Sequence, residues 1–193
     1  MGSILESWGY PVLDVDKLGH EVIEIEKSAL ISRFGSDILR PEGTIDRRIL
    51  GATVFGNPQA LADLEGIVHP TANVMTLRWV DAQNADAAVI NAALLHRSSV
   101  FSQLDGIILV QAPLLIRLLR AKKRDRLPWV ALFQRFRSQR EFTSQYLRSN
   151  TDIYPVYNRG FSVACSDFWR RNLEKQLRKI EEKMGMAGNH RGI

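Results

Sequence analysis

Four short apolar runs punctuate the chain: Pro11 to Asp16, Ala87 to Asn91, Gly106 to Val110 and Ile153 to Tyr157. Runs of this length without polar alternation predict strands buried on both faces, the habit of parallel sheets. Pro155 has no amide proton to give a ladder, so the last run is expected at a sheet edge. Between the runs, apolar positions recur at helical spacing. Leu18, Val22, Ile23, Leu30 and Ile31 predict one helix that stops at Phe34-Gly35. Pro41-Glu42-Gly43 predicts a turn, after which Thr44 or Asp46 caps a helix carrying Arg47, Arg48 and Leu50. Asn57-Pro58 places a cap before a proline at the first helical position, and Leu61, Leu64, Ile67 and Val68 form that helix's apolar face. His69-Pro70 predicts a break, because proline disfavours helix in the residue before it, with a second helix from about Thr71. Pro113 opens a helix through Leu114, Leu115, Leu118 and Leu119, and Ser166 caps a final one. In that last helix Trp169, Leu173, Leu177, Ile180 and Met184 form a stripe that reads as core packing rather than a binding face, and Gly185 begins a frayed tail.

Strands alternating with helices define an α/β fold in three layers around a mostly parallel central sheet. Residues 36–82 read as a helical substrate-side insert and residues 113–140 as a lid region. Such sheets bind ligands at the carboxyl ends of their strands, where Asp14, Asp16 and Asn91 fall. A length of 193 residues suits one domain. With 45% hydrophobic and 24% charged residues, bulk disorder is excluded. One cysteine excludes a disulfide scaffold and a cysteine-based zinc site, and points to a reducing, cytoplasmic setting. No apolar run approaches the roughly 18 residues of a membrane span, and no signal peptide is evident.

Charge divides the chain. Residues 1–116 hold 8 basic and 14 acidic side chains, a net of −6, whereas residues 117–193 hold 18 and 7, a net of +11. A polyanionic partner is expected, whether nucleic acid, membrane surface or phosphorylated small molecule. Nine of the basic residues and a single acid, Asp125, lie between Arg117 and Arg140. Arg117, Arg120 and Arg124 share one helix face, and arginine suits bidentate phosphate recognition. A break at Leu127-Pro128 precedes a second helix with Phe133, Phe136, Arg137 and Gln139. An arginine-rich helical flap closes over nucleotide and stabilises phosphate charge, although charge runs are more often solvated faces. Trp129, Phe133 and Phe136 also allow RNA stacking, but their spacing favours core.

Asp14 and Asp16 are two apart, so on a strand their carboxylates share a face, suited to taking a hydroxyl proton or holding a metal. The competing reading is helix-cap chemistry, with Asp16 before a helix, and spacing alone favours it. Asn158-Arg159-Gly160 after the last strand offers an amide and open backbone to a base edge, or is a plain turn. Cys165 reads as a small buried hydrophobe, and His20, His69, His96 and His190 lack metal-ligand spacing.

Taken in order, these segments resemble the dephospho-coenzyme A kinase family. Val12-Leu13-Asp14-Val15-Asp16 is similar to its V-I-D-A-D. Phe34-Gly35, Gly43-Thr44-Ile45-Asp46-Arg47-Arg48 and Leu50 resemble F-G…D-G-x-I-D-R-x-x-L. Val54 to Pro58, Leu64-Glu65 and His69-Pro70 resemble v-F-x-x-P…L-E…H-P. Arg120, Arg124-Asp125 and Gln139 resemble the lid R-x-x-x-R-D…Q, and Thr151-Asp152, Asn158 and Gly160 the closing A-D…N-x-G. The resemblance implies a P-loop kinase fold and ATP- and Mg²⁺-dependent phosphorylation of the ribose 3′-hydroxyl of dephospho-coenzyme A. It makes Asp16 the general base, supported by Asp14, which also serves the metal. It sets Arg120 and Arg124 near the ATP phosphates, and makes Asn158 and Gly160 adenine contacts. Arg47, Arg48 and His69 fall on the coenzyme A side. ATP and a coenzyme A precursor thus replace nucleic acid or membrane as the expected polyanionic partner. Two departures stand out. Ala93-Leu94-Leu95-His96-Arg97 replaces the family's Pro-Leu-Leu-x-Glu, exchanging an acid for a base. No G-x-x-x-x-G-K-[ST] occurs in the 193 residues, whereas the family carries that loop, on a strand of the sheet interior, just before the helix leading into V-I-D-A-D. Either the loop is encoded upstream, or the chain is a relative without it that binds nucleotide or coenzyme A precursor.

Overall fold

The computed structural model describes residues 1–93, 95, 98–125, 128, 129, 132, 136, 151–160 and 166–186. The order is α1 (Gly2–Ser7), β1 (Val12–Asp14), α2 (Val15–Ile25), α3 (Lys27–Phe34), α4 (Arg47–Val54), α5 (Pro58–Asp81), β2 (Val89–Asn91), β3 (Gly106–Gln111), α6 (Leu114–Asp125), β4 (Asp152–Tyr157) and α7 (Ser166–Lys183). Single 3₁₀ turns sit at Ser36–Ile38 and Ser99–Gln103. Leu94, His96, Arg97, Phe133, Arg137, Gln139, Cys165 and His190 lie outside the described residues.

All four apolar runs form strands, and every pairing is parallel. β1 runs beside β2 from Val12–Val89 to Asp14–Asn91, and β3 beside β4 from Gly106–Asp152 to Gln111–Tyr157. Among the described residues the sheet is in two halves, with no pairing between β2 and β3. A cavity of about 1140 Å³ separates them, lined by β2, by residues 106–110 of β3 and by Met1, Leu5, Ile180 and Glu181. One helical layer bridges the gap. Ile4 and Leu5 of α1 and Tyr10 pack with Leu177 and Ile180 of α7 and Val156 of β4, and Val89 and Ile108 lean on the same cluster. Leu173, Leu177, Ile180 and Met184 of the α7 stripe therefore join the core, as their spacing predicts, whereas Trp169 lies outside this cluster.

A polar tie reinforces that layer. The Tyr10 hydroxyl donates to Glu181 Oε1 at 2.6 Å, and Arg178 Nη1 holds Oε2 at 2.9 Å. Glu181 is only 5% exposed, so each bond satisfies a carboxylate that would be costly to bury alone. The Arg178 guanidinium also lies 3.9 Å from the Trp8 ring centre, a cation–π contact.

The insert carries a second core. Leu30, Ile38, Ile45, Leu50, Val54 and Ala60 bury one another there. A bridge between Leu39 and Ile45 closes the turn at Gly43, whose φ of +84° favours glycine. Asp46 caps α4, its Oδ1 accepting from Arg48 N–H at 2.9 Å and Ile49 N–H at 3.3 Å, and those bonds hold its carboxyl below the usual range. Asn57 caps α5, with Pro58 in its first turn as expected.

Two boundaries differ from the sequence reading. The helix expected from Leu18 to Phe34 is two helices, α2 and α3, meeting at Glu26. Here the Glu26 carboxylate accepts the Thr71 hydroxyl of α5, so a cross-link fixes the joint that periodicity cannot register. The break expected at His69-Pro70 is absent: α5 runs 24 residues straight through Pro70. Packing of α5 against α2, α3 and α4 holds the helix together against the lost hydrogen bond, a case of tertiary contact overriding local preference. No described helix is long and apolar enough to cross a membrane.

Burial and the Glu181 bond raise the Tyr10 pKa well above its ordinary value. Above the unfolded pKa near ~10, the unfolded chain holds fewer protons than the folded one, so this contribution to stability declines as pH rises toward the folded pKa. Tyr10→Phe should lower unfolding free energy by about 1–2 kcal/mol at neutral pH and flatten the alkaline decline, as read by urea denaturation at stepped pH.

Candidate functional site

Strand β1 ends at Asp14, and the chain turns at once into α2. The Asp14 carboxylate accepts the Lys17 amide at 3.2 Å and so caps that helix. Asp16 lies exposed in the first turn of α2. The two carboxylates therefore do not share a strand face, as their spacing suggests; one is a cap and the other a helical side chain. The competing cap reading falls on Asp14, not Asp16. Asp14 is in register with Asn91, so the carboxyl ends of β1 and β2 present an acid beside an amide. Both carboxylates sit at the N-terminus of α2, where the helix dipole favours negative charge.

Across the molecule, α6 docks on the loop after β4. Arg120 Nη2 donates to Asn158 Oδ1 at 2.8 Å, to the Asn158 carbonyl at 3.3 Å and to the Gly160 carbonyl. Three residues singled out from sequence thus meet in one cluster, and Arg120 engages the loop after β4 through the same guanidinium that the resemblance assigns to phosphates. Arg124 stands one turn further along α6, exposed. Leu118 and Ala121 of α6 pack with Leu132 and Phe136. Arg117 lies 4.9 Å from the Phe136 ring centre and Lys122 5.5 Å from that of Trp129. Phe136 is therefore core, as spacing favours, whereas Trp129 is 45% exposed and is not.

Arg47 and Arg48 lie exposed on the first turn of α4, and His69 is half-buried within α5. All three lie within residues 36–82. Sequence reading missed two partners of the β4 loop. A Cβ on Gly160 would stand 3.1 Å from Trp169 Cγ, so the indole fills the space beside the glycine. Gln176 accepts the Tyr157 amide at 2.9 Å and donates back to its carbonyl at 3.3 Å, covering the end of the sheet edge. Trp169 registers in the sequence only as one member of a core stripe, and Gln176 carries no pattern.

Parallel strands, the first ending in Asp14, a helical segment between β1 and β2 and an arginine-bearing helix α6 fit an α/β phosphotransferase with the P-loop kinase fold. The crystal structure of a Thermus thermophilus protein matches with a TM-score of 0.73 at 27% identity, covering 94% of this chain and 88% of that one. Dephospho-CoA kinase from Campylobacter jejuni matches at a TM-score of 0.61 and 26% identity, covering 94% and 90%. The sequence model of dephospho-CoA kinase matches residues 1–154. A curated dephospho-CoA kinase of Geobacter metallireducens is 31% identical over 185 residues, which is 91% of this chain and 90% of that protein. That of Treponema denticola is 28% identical over 189 residues, 92% and 82% of the two. The chain belongs to the dephospho-CoA kinase family.

The geometry separates the two aspartates by experiment. Asp14→Ala should cost about 1 kcal/mol of stability through the lost cap, while Asp16→Asn should change it by less than about 0.5 kcal/mol, both read by urea denaturation.

Proposed function

We propose that this protein transfers the γ-phosphoryl group of ATP to the ribose 3′-hydroxyl of dephospho-coenzyme A, the last step of coenzyme A synthesis. The single observation that carries the reading is family membership joined to a matching placement of residues: Asp16 open beside a strand end, and Asn158 and Gly160 on the loop after the last strand. Asp16 takes the hydroxyl proton, that oxygen attacks the γ-phosphorus, and the bond to the β–γ bridging oxygen breaks to release ADP. Asp14 orients the start of α2 and adds negative potential at the strand end. Arg124 meets phosphate charge from the lid, and Asn158 with Gly160 holds the adenine. Arg47, Arg48 and His69 bind the coenzyme A side from the insert, where two guanidinium groups suit a pyrophosphate-bearing substrate. We place the protein in the cytoplasm, with its substrates.

Asp14 and Asp16 also fit Mg²⁺. Hard carboxylate oxygens suit it, and it is commonly held by one or two carboxylates together with substrate phosphates. When bound, the ion neutralises phosphate charge.

A second reading, of a relative that binds nucleotide or coenzyme A precursor without turnover, is separated from the first by assay. Purified protein with ATP, Mg²⁺ and dephospho-coenzyme A should release ADP only when all three are present. Asp16→Asn should slow that release by about 10²–10⁴-fold with substrate binding retained. Dephospho-coenzyme A binding by calorimetry without ADP release would support the second reading instead.

A further inference from the structure

The loop after β4 is gripped from several sides. From α6, Arg120 Nη2 reaches Asn158 O, Asn158 Oδ1 and Gly160 O. From α7, the Trp169 indole closes on Gly160. From the end of β3, the Gln111 carbonyl accepts the Asn158 amide at 2.7 Å. The three acceptors of Arg120 are amide oxygens, not carboxylates, so its positive charge is held without being neutralised. A carboxamide has one acceptor oxygen and one NH₂ donor. Arg120 takes the oxygen, which fixes the flip state of Asn158 and makes the NH₂ the group it offers to a ligand. An acceptor nitrogen of a purine ring is the complement of that donor.

We propose that Arg120 is a positioning residue for base recognition: it orients the Asn158 carboxamide and ties the lid helix α6 to the nucleotide loop, rather than binding phosphate. The inference rests on the kinase reading, since it takes a nucleotide as the ligand of this loop. Three consequences follow. The lid and the base site move as one element at this point. Base discrimination depends on a residue that does not touch the base. Lysine does not replace Arg120, because a single ammonium lacks the planar fork that spans separate oxygens.

The test uses wild type, Arg120→Lys and Arg120→Ala, with ATP, GTP and inorganic tripolyphosphate as probes in calorimetry. Asparagine-selective ¹⁵N spectra of the ligand-free proteins accompany it, and the lysine variant keeps the charge should alanine disturb folding. Both variants should weaken ATP at least about tenfold, leave tripolyphosphate within about twofold, and bring the ATP-to-GTP preference toward unity. The Asn158 side-chain NH₂ resonances should shift in both. Equal loss of ATP and tripolyphosphate affinity would make Arg120 a phosphate ligand and overturn the proposal, as would unchanged Asn158 resonances. Wild type that binds no ATP would overturn the kinase reading and this role with it, whereas unchanged ATP affinity in both variants overturns this role alone.

Discussion

Each strand in a parallel sheet must satisfy two backbone edges and bury two faces, and the molecule is organised around how these four strands meet that demand. β1 and β2 satisfy one another, as do β3 and β4. At the end of β4 the Gln176 carboxamide replaces a neighbouring strand, pairing both the N–H and the C=O of Tyr157. The inner edges of β2 and β3 border a cavity instead of each other. With no ladder across the middle among the described residues, the layer of α1 and α7 spans both halves, and the Tyr10–Glu181–Arg178 tie is the polar part of that hold. The residues singled out from the sequence follow the same division, Asp14 and Asp16 at the end of one half and Asn158 and Gly160 at the end of the other.

The architecture was legible where local signals and tertiary packing agree. The apolar runs become strands because uninterrupted β-branched and aliphatic residues suit a sheet covered on both faces. Asp46, Asn57 and Gly35 mark helix ends because capping and positive φ are properties of one or two residues. Pro70 and Glu26 were misread for the opposite reason. What decides each is a distant partner, the packing around α5 in one case and the Thr71 hydroxyl in the other.

The site divides in the same way. Ordered motifs pick out Asp14, Asp16, Arg120, Arg124, Asn158 and Gly160, but motif order says nothing about which side chain caps, which stands open, or which holds another. Asp14 as cap depends on where β1 stops, a matter of one residue. The meeting of Arg120 with Asn158 joins positions 38 residues apart, and no periodicity encodes it. Trp169 reads as core from its stripe, yet it is half-buried and sits beside the loop, against Gly160, outside the cluster that the rest of the stripe joins.

The contact between Gly160 and Trp169 has a genetic consequence. The indole leaves no ordinary room for a β-carbon at position 160, with two ring and side-chain carbons within 3.2 Å of where it would stand. The two codons are therefore one unit of variation. A β-carbon at 160 requires Trp169 to give by a few tenths of an ångström, so what position 160 accepts depends on how position 169 is packed. The shape of this loop is kept by the pair rather than by the glycine.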